Sequence, residues 1–340
     1  MGVTRPIKVG ILTAPHIEFE QKENTFLLKN VRIGIGFHWD RKEDQEFAGS
    51  LEIRNNPDGT QTAINTIDLE DYLCSVISSE MNANSPMELL KAHAVISRSW
   101  AIKAMQKPNH DGFDVCADDH CQRYEGLRRI NERAVEAVNA TRGQVLMFGD
   151  EICDCRYYKC CGGRSEVWRT CWEDIDVPYI QSVACDYCKS PSPQILRLVL
   201  NDYDQETKDF RNWKVSYTAE ELSEIIRSKS GIDFGEIIDL IPLKRGASGR
   251  IYELKIVGTK HTEIIGKELK IRLWLSRTCL YSSWFEVSYG NGVWTLNGHG
   301  WGHGAGLCQI GAAVMASEGK RYEEILSYYY AGSRLSPSAQ

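Results

Sequence analysis

Between Asp68 and Ala101 the chain reads DLEDYLCSVISSEMNANSPMELLKAHAVISRSWA, and no other stretch restricts the fold as much. Leu69, Leu73, Val76 and Ile77 recur at helical spacing, which predicts a helix with one apolar face. The polar run Ser78-Ser79-Glu80, then Met81 and an Asn-rich turn at 82–84, ends it. Ser85 suits an N-cap, Pro86 the first helical position, and Glu88 follows the cap by three residues, so the second helix is expected to open with a capping box. Leu89, Leu90, Ala92, Val95, Ile96 and Ile102 give that helix its buried face. Glu80 stands at the junction of the two apolar helices. Partial desolvation raises a carboxyl pKa toward the range that a general acid needs near neutral pH, so Glu80 is the first catalytic candidate. The competing reading is a solvated Glu after a helix end.

Composition narrows the classes. The 340 residues suffice for two domains, or for one with an insertion. A net charge of −6 argues against a general nucleic-acid binder. No apolar run approaches the roughly 18 residues of a membrane span. The start, MGVTRPIKVGILTAP, lacks a signal-peptide pattern, which leaves a cytoplasmic protein or a chain without its leader. Seven of the twelve cysteines crowd together: Cys153, Cys155, Cys160, Cys161, Cys171, Cys185 and Cys188. Their spacing does not separate disulfides from metal ligation or free thiols.

Residues 7–67 read as short strands, IKVGIL, VRIGIGF, SLEIRN and TAINTI, split by polar turns. Residues 107–126 then place His110, Cys116, His120 and Cys121 within twelve residues. Two His and two Cys suit tetrahedral zinc, and four protein ligands would make the ion structural. A local thiol pair with surface histidines is the alternative. An amphipathic helix is expected over 128–141, then a return to strand. Tyr157 and Lys159 share one face of a strand that runs into Cys160-Cys161-Gly162-Gly163, and Glu166 follows as a second carboxylate for the same cleft. The Cys185-x-x-Cys188 pair, joined by Cys160, Cys161 or Cys171, allows a second metal site or a disulfide. After a linker-like SPSPQ, residues 191–290 read as a small α+β region. Its helix is capped by Thr218 with Glu221, and KELKIRLWL is strand or short helix. The last dense stretch is NGHGWGHGAGLCQIGAA, with glycines at 298, 300, 302, 304 and 306, followed by helices over 309–317 and 322–330. Alternating glycine at that density signals close backbone approach to a strand or a ligand. His299 reads as structural and His303 as a site residue.

These stretches, in this order, resemble the SpoIID and LytB-domain family. The matching motifs are Tyr72-Leu73, Ser79-Glu80-Met81, Leu90-Lys91-Ala92-His93-Ala94-Val95 with Arg98, Gln122-x-Tyr124, Gly162-Gly163-x-Ser165-Glu166 and Gly302-His303-Gly304-x-Gly306-Leu307-Cys308-Gln309. Cys161 and Cys308 stand where the family has Ser, and Ile310 where it has Tyr. The resemblance implies an α+β, SpoIID-like catalytic core. Its parts would be an N-terminal β-rich region (1–66), the core in two pieces (67–190 and 291–340) and an inserted α+β region (191–290). It also implies a lytic transglycosylase acting on denuded peptidoglycan glycan strands, with Glu80 as the acid and base. The substrate-binding residues would be Arg98, Gln122, Tyr124, Tyr157, Lys159, Glu166, His303 and Gln309. Some family members carry zinc on the segment that matches His110–Cys121. Work in the cell envelope is expected for such a protein. Two other readings stay open: a non-catalytic glycan-binding or amidase-activating module with a cell-wall amidase as partner, and a metal-dependent hydrolase using the Cys/His cluster.

Overall fold

The computed structural model describes residues 5–34, 40–82, 84–108, 110–118, 120–189, 191–199 and 211–337. The end of the VRIGIGF strand, Ala83 of the inter-helix turn and Ser190 of the linker-like stretch lie outside them.

The chain opens with β1 (Pro6–Ala14), β2 (Phe19–Gln21), β3 (Thr25–Ile33), β4 (Arg41–Ala48), β5 (Ser50–Asn55) and β6 (Gln61–Asp68). One antiparallel sheet runs β2-β3-β4, and β5-β6-β1 forms another. β4, RKEDQEFA, is not legible as a strand from hydropathy, yet Gln45 and Phe47 turn inward while Lys42 and Asp44 face out. Charge pairs across to β3, such as Lys29–Asp44 at 3.1 Å, suit that exposed face.

β6 runs directly into α1 (Leu69–Glu80), whose first turn is capped by the Asp68 carboxylate. Leu69, Leu73, Val76 and Ile77 are buried as their spacing predicts. Each such side chain is worth about 1.5–3 kcal/mol of apolar burial. α2 (Met87–Gln106) starts later than expected, with Pro86 at the N-cap position and no side-chain cap. The capping box does not form because Glu88 is used elsewhere. Its carboxylate pairs with Lys91 at 2.8 Å and accepts from the Tyr322 N–H at 2.8 Å. β7 (Val115–Cys116) adds parallel to β1. α3 (Glu132–Ala140) is shorter than predicted because Asn131 caps it, accepting from the Ala134 N–H.

There follow β8 (Gln144–Phe148), β9 (Glu151–Ile152), β10 (Tyr157–Tyr158), α4 (Trp168–Cys171), a 3-10 turn at Asp186–Cys188, and α5 (Pro193–Val199), which takes up the end of the linker-like SPSPQ. Next come β11 (Asn212–Thr218), α6 (Ala219–Ser230) with its Thr218–Glu221 capping box, β12 (Ile237–Arg245), β13 (Ile251–Gly258), β14 (Thr262–Ile265) and α7 (Glu268–Trp274). KELKIRLWL is thus helical. The chain closes with β15 (Phe285–Gly290), β16 (Val293–His299), β17 (Leu307–Cys308), α8 (Gln309–Ser317), α9 (Tyr322–Tyr329) and β18 (Arg334–Pro337), which returns to pair with β8.

The fold is α+β with two apolar cores. The first joins the N-terminal strands to α1, α2, α3, the cysteine-rich stretch, α8 and α9. The second is built from residues between Trp213 and Leu296. The sheet β11-β16-β15 closes this second core and straddles residue 290. The glycines after β16 lie against the strand at 156–161: a Cβ on Gly302 would sit 2.7 Å from that of Tyr158, and Gly300, Gly302, Gly304 and Gly306 all have positive φ. The close approach read from the glycine spacing is therefore made to a strand.

Candidate functional site

Glu80 ends α1 half-buried, at the place where three segments meet. Its Oε1 accepts the backbone N–H of Arg123 at 3.0 Å and the Tyr157 hydroxyl at 3.1 Å. Two donors on one oxygen fix the plane of the carboxyl group. Burial, and then the neighbouring Glu80 carboxylate, push the Tyr157 phenol well above its ordinary pKa, so it remains a donor.

Tyr157 is held in turn from behind. Its ring meets the His93 ring edge-on at 4.4 Å. His93 Nε2 faces the Gln309 amide nitrogen at 3.1 Å, and Nδ1 faces the Ser97 hydroxyl at 3.2 Å. Gln309 is the donor of the first pair, so His93 carries its proton on Nδ1. Burial, helped by the Lys159 charge, holds His93 down at a pKa of about 3, so it is a neutral ring. His303 donates from Nε2 to the Tyr157 carbonyl at 3.0 Å and accepts the Ala305 N–H on Nδ1 at 3.1 Å. It too is held well below its ordinary value, by burial and then by Arg156, Arg272 and Arg250. The structure thus gathers Glu80, Tyr157, Gln309 and His303 into one connected group, with Lys159 on the strand beside it. His93 stands in the Leu90–Val95 motif, yet its sequence context gives it no site role, because it looks like one more residue on an apolar helix. Its signal was a polar ring on a face otherwise made of Leu, Ala, Val and Ile.

Of the other predicted substrate residues, Arg98, Tyr124 and Glu166 are placed elsewhere, and Gln122 lies behind Tyr157. Arg98 is wholly buried, in a bidentate pair with Glu70 at 2.9 and 2.7 Å, and donates to the Gln144 carbonyl at 3.1 Å. Tyr124 is buried, and its hydroxyl donates to Asn65 at 2.7 Å. Gln122 is buried, accepts the Tyr72 phenol's hydrogen bond at 3.1 Å and also bonds the Tyr157 side chain. Glu166 is wholly buried and accepts the N–H groups of Val167, Ala247 and Ser248 and the Ser248 hydroxyl, at 2.6–3.0 Å. It fastens the turn at 246–249 of the second core to the first. Gly246 makes room, since a Cβ there would lie 2.4 Å from Glu166 Oε2.

The Cys/His loop converges as its spacing suggests. One ligand atom each from His110, Cys116, His120 and Cys121 lies within 4.8 Å of all the others. His110 Nε2 is 3.2 Å from Cys121 Sγ, and His120 Nδ1 is 3.4 Å from Cys121 Sγ and 3.9 Å from Cys116 Sγ. A tetrahedral zinc with bonds of about 2.0–2.3 Å sets its donors about 3.3–3.8 Å apart, so the four fit one ion. The Cys121 thiol, then the His120 ring, hold Cys116 well below its ordinary pKa, while Cys121 is pushed up. The group is poised to release protons to a cation. A single residue, Gln122, separates Cys121 from Arg123, whose backbone N–H holds Glu80. The loop therefore reaches the site through the Arg123 backbone and the Gln122 amide, which bonds the Tyr157 side chain, and not through Tyr124.

A profile for the stage II sporulation protein family, SpoIID, matches residues 57–148, which hold α1, α2, the Cys/His loop and α3. A stage II sporulation protein D of Bacillus subtilis is 26% identical over 293 residues, covering 81% of this chain and 76% of that protein. The chain carries a SpoIID-family domain over residues 57–148 and is similar to SpoIID and amidase-enhancer proteins over most of its length. An uncharacterized protein of Brachyspira hyodysenteriae is 29% identical over 289 residues, 84% of this chain and 71% of the relative. The amidase enhancer of B. subtilis is 27% identical over 295 residues, which are 77% of this chain but 40% of the enhancer. Residues 166–306 match a domain family of unknown function, DUF8618. Two departures from the SpoIID pattern keep local roles. Cys308 caps α8 by accepting the Gly311 N–H at 3.4 Å, as a Ser would. Ile310 is buried, with its N–H on the Lys159 carbonyl at 3.1 Å.

Proposed function

We propose that this chain is a SpoIID-family peptidoglycan lytic transglycosylase with Glu80 as its acid and base. The observation that carries the reading is the seat of Glu80: a half-buried carboxylate oriented by Tyr157 and by the backbone after the Cys/His loop. Glu80 protonates the leaving oxygen of the MurNAc–GlcNAc β-1,4 bond. The same group then takes the proton of the MurNAc C6 hydroxyl as that oxygen closes a 1,6-anhydro ring on C1. The proton count is balanced and no water enters. One carboxyl group suffices, where a hydrolase needs two. Glu166, the second carboxylate of the sequence reading, is committed to the 247–248 turn, which favours the one-carboxylate route. Lys159 and Tyr157 would meet the sugar, and His93, Gln309 and His303 would position Tyr157. Denuded glycan strands are the proposed substrate, met in the cell envelope. Among the described residues no helix is long and apolar enough to cross a membrane.

Zinc would be held by His110, Cys116, His120 and Cys121. Four protein donors leave no position for an attacking water, so its role would be to stiffen the 110–123 loop, and hydrolysis by the metal is disfavoured. The likeness to the amidase enhancer supports a second reading, in which the chain binds strands and stimulates an amidase without cutting.

The test is incubation of denuded strands with the wild type and with Glu80→Gln, followed by mass spectrometry. Anhydro-ended fragments from the wild type alone support the proposal. Reducing ends would mean hydrolysis. Intact strands that co-sediment with both proteins would favour the enhancer reading.

A further inference from the structure

The cysteine-rich stretch contains a second group of ligands, spread over 148 positions of sequence. Cys161 follows β10, Cys185 precedes the 3-10 turn and Cys188 ends it, and Cys308 caps α8. All four are buried and unbridged, and their sulfurs lie within 4.8 Å of one another. Cys160 and Cys171, which the spacing also allowed, do not complete the set. We propose that Cys161, Cys185, Cys188 and Cys308 bind one zinc ion as a buried structural clamp.

The geometry suits a single ion. A tetrathiolate zinc with bonds of about 2.3 Å sets its sulfurs about 3.8 Å apart. Cys161 and Cys188 stand 2.9 Å apart, so that pair opens by about 1 Å to reach the tetrahedral edge. An iron–sulfur cluster needs wider spacing, because iron and sulfide separate its cysteine sulfurs.

The surroundings are those of thiolates. The Gly163 N–H points at Cys161 Sγ at 3.3 Å, and the Cys161 and Gly311 N–H groups point at Cys308 Sγ at 3.3 and 3.4 Å. The Tyr329 hydroxyl lies 3.3 Å from Cys185 Sγ. Donors of this kind orient metal-bound sulfur and spread its charge, and the start of α8 adds a favourable dipole at Cys308. Four thiolates on a divalent ion leave two negative charges. Arg250 is wholly buried beside them, without a salt bridge among the described residues. It donates to the Cys161 and Gly302 carbonyls and the Ser248 hydroxyl, and its Nη2 has no partner. It stands between the Glu166 carboxylate, one Ser248 hydroxyl away, and the Cys161 end of the thiol group, where its charge can balance both.

The clamp has a structural task. β10 and β17 pair in parallel over only two residues each, Tyr157–Leu307 and Tyr158–Cys308. So short a ladder does not hold itself in place. An ion shared by Cys161 and Cys308 would hold both strands at their ends, and with them Tyr157 and Gln309. The inference does not depend on what reaction Glu80 performs.

The experiment is metal analysis of the purified full chain with zinc-edge X-ray absorption. Two occupied sites predict about two zinc ions per chain and a mean shell of three sulfurs to one nitrogen. Cys185→Ser/Cys188→Ser removes about one ion and shifts the shell toward equal sulfur and nitrogen. His110→Asn/His120→Asn instead leaves a sulfur-only shell at about 2.3 Å. The wild-type spectrum decides the matter even where a variant fails to fold. A wild-type sulfur-only shell with one ion still supports the clamp and removes the loop site. One ion with equal sulfur and nitrogen overturns the clamp, as does intact-mass evidence for disulfides among these four cysteines.

Discussion

Glu80 and Glu166 are both carboxylates of family motifs, and sequence reading assigned both to one cleft. Their surroundings separate them. Glu80 stays half-buried, with one oxygen oriented by a tyrosine and a backbone N–H. Glu166 is fully enclosed and takes four donors across its two oxygens. A carboxylate whose two oxygens each take two donors has no capacity left for a substrate. It acts as a staple between the two cores. The Glu80 arrangement instead orients the group and keeps it within reach. A motif can therefore mark a docking contact as readily as a catalytic one.

The largest expected effect is at Glu80. Glu80→Gln should lower strand cleavage by about 10²–10⁴-fold, the range for a positioned acid and base. Its thermal midpoint should stay within a few degrees of the wild type in a scan, because the amide can still accept from Tyr157 and Arg123. Full activity in this variant would leave the two glutamates without a functional difference. Glu166→Gln should do the reverse. The new amide sets a donor against donors, costing about 2–4 kcal/mol in urea unfolding, while activity per folded molecule is kept. A Glu166→Gln protein that is stable but inactive would move Glu166 back into the site.

Removing one donor from each carboxylate sharpens the contrast. Tyr157→Phe should reduce cleavage about tenfold, with a stability loss of only about 1 kcal/mol. Ser248→Ala should cost about 1–2 kcal/mol in stability and leave cleavage unchanged. Equal activity losses in the two variants would contradict the assignment.

What the sequence revealed tracks how local each feature is. α1 and α2 announce themselves by spacing, and the Cys/His loop by four ligands within twelve residues. The capping box at Ser85 does not form because Glu88 meets Tyr322, more than two hundred positions away, and no local rule contains that contact. Arg98, Gln122 and Tyr124 sit in the right motifs but on inward faces, and a motif does not report which way a side chain turns. The partnership of Glu166 with Ser248 spans 82 positions. β4 was hidden by its charges, which its outer face carries at little cost.

The smallest effect at neutral pH, and the most diagnostic at acid pH, belongs to His93. Its folded pKa is about 3, against an ordinary value of 6.5. The unfolded chain therefore takes up a proton that the folded protein refuses. Stability from the neutral ring is complete above about pH 6.5, falls as pH drops toward about 3, and changes no further below that. Glutamine does not titrate and can still bond to Gln309. His93→Gln should therefore match the wild type within about 1 kcal/mol at pH 7, and gain on it by up to a few kcal/mol by pH 4. His303 is depressed in the same sense, so the variant keeps part of the acid slope. Urea unfolding at pH 7, 5 and 4 measures the difference. Identical pH slopes for the two proteins would mean that His93 is already charged in the folded state, and the neutral network behind Tyr157 would have to be redrawn.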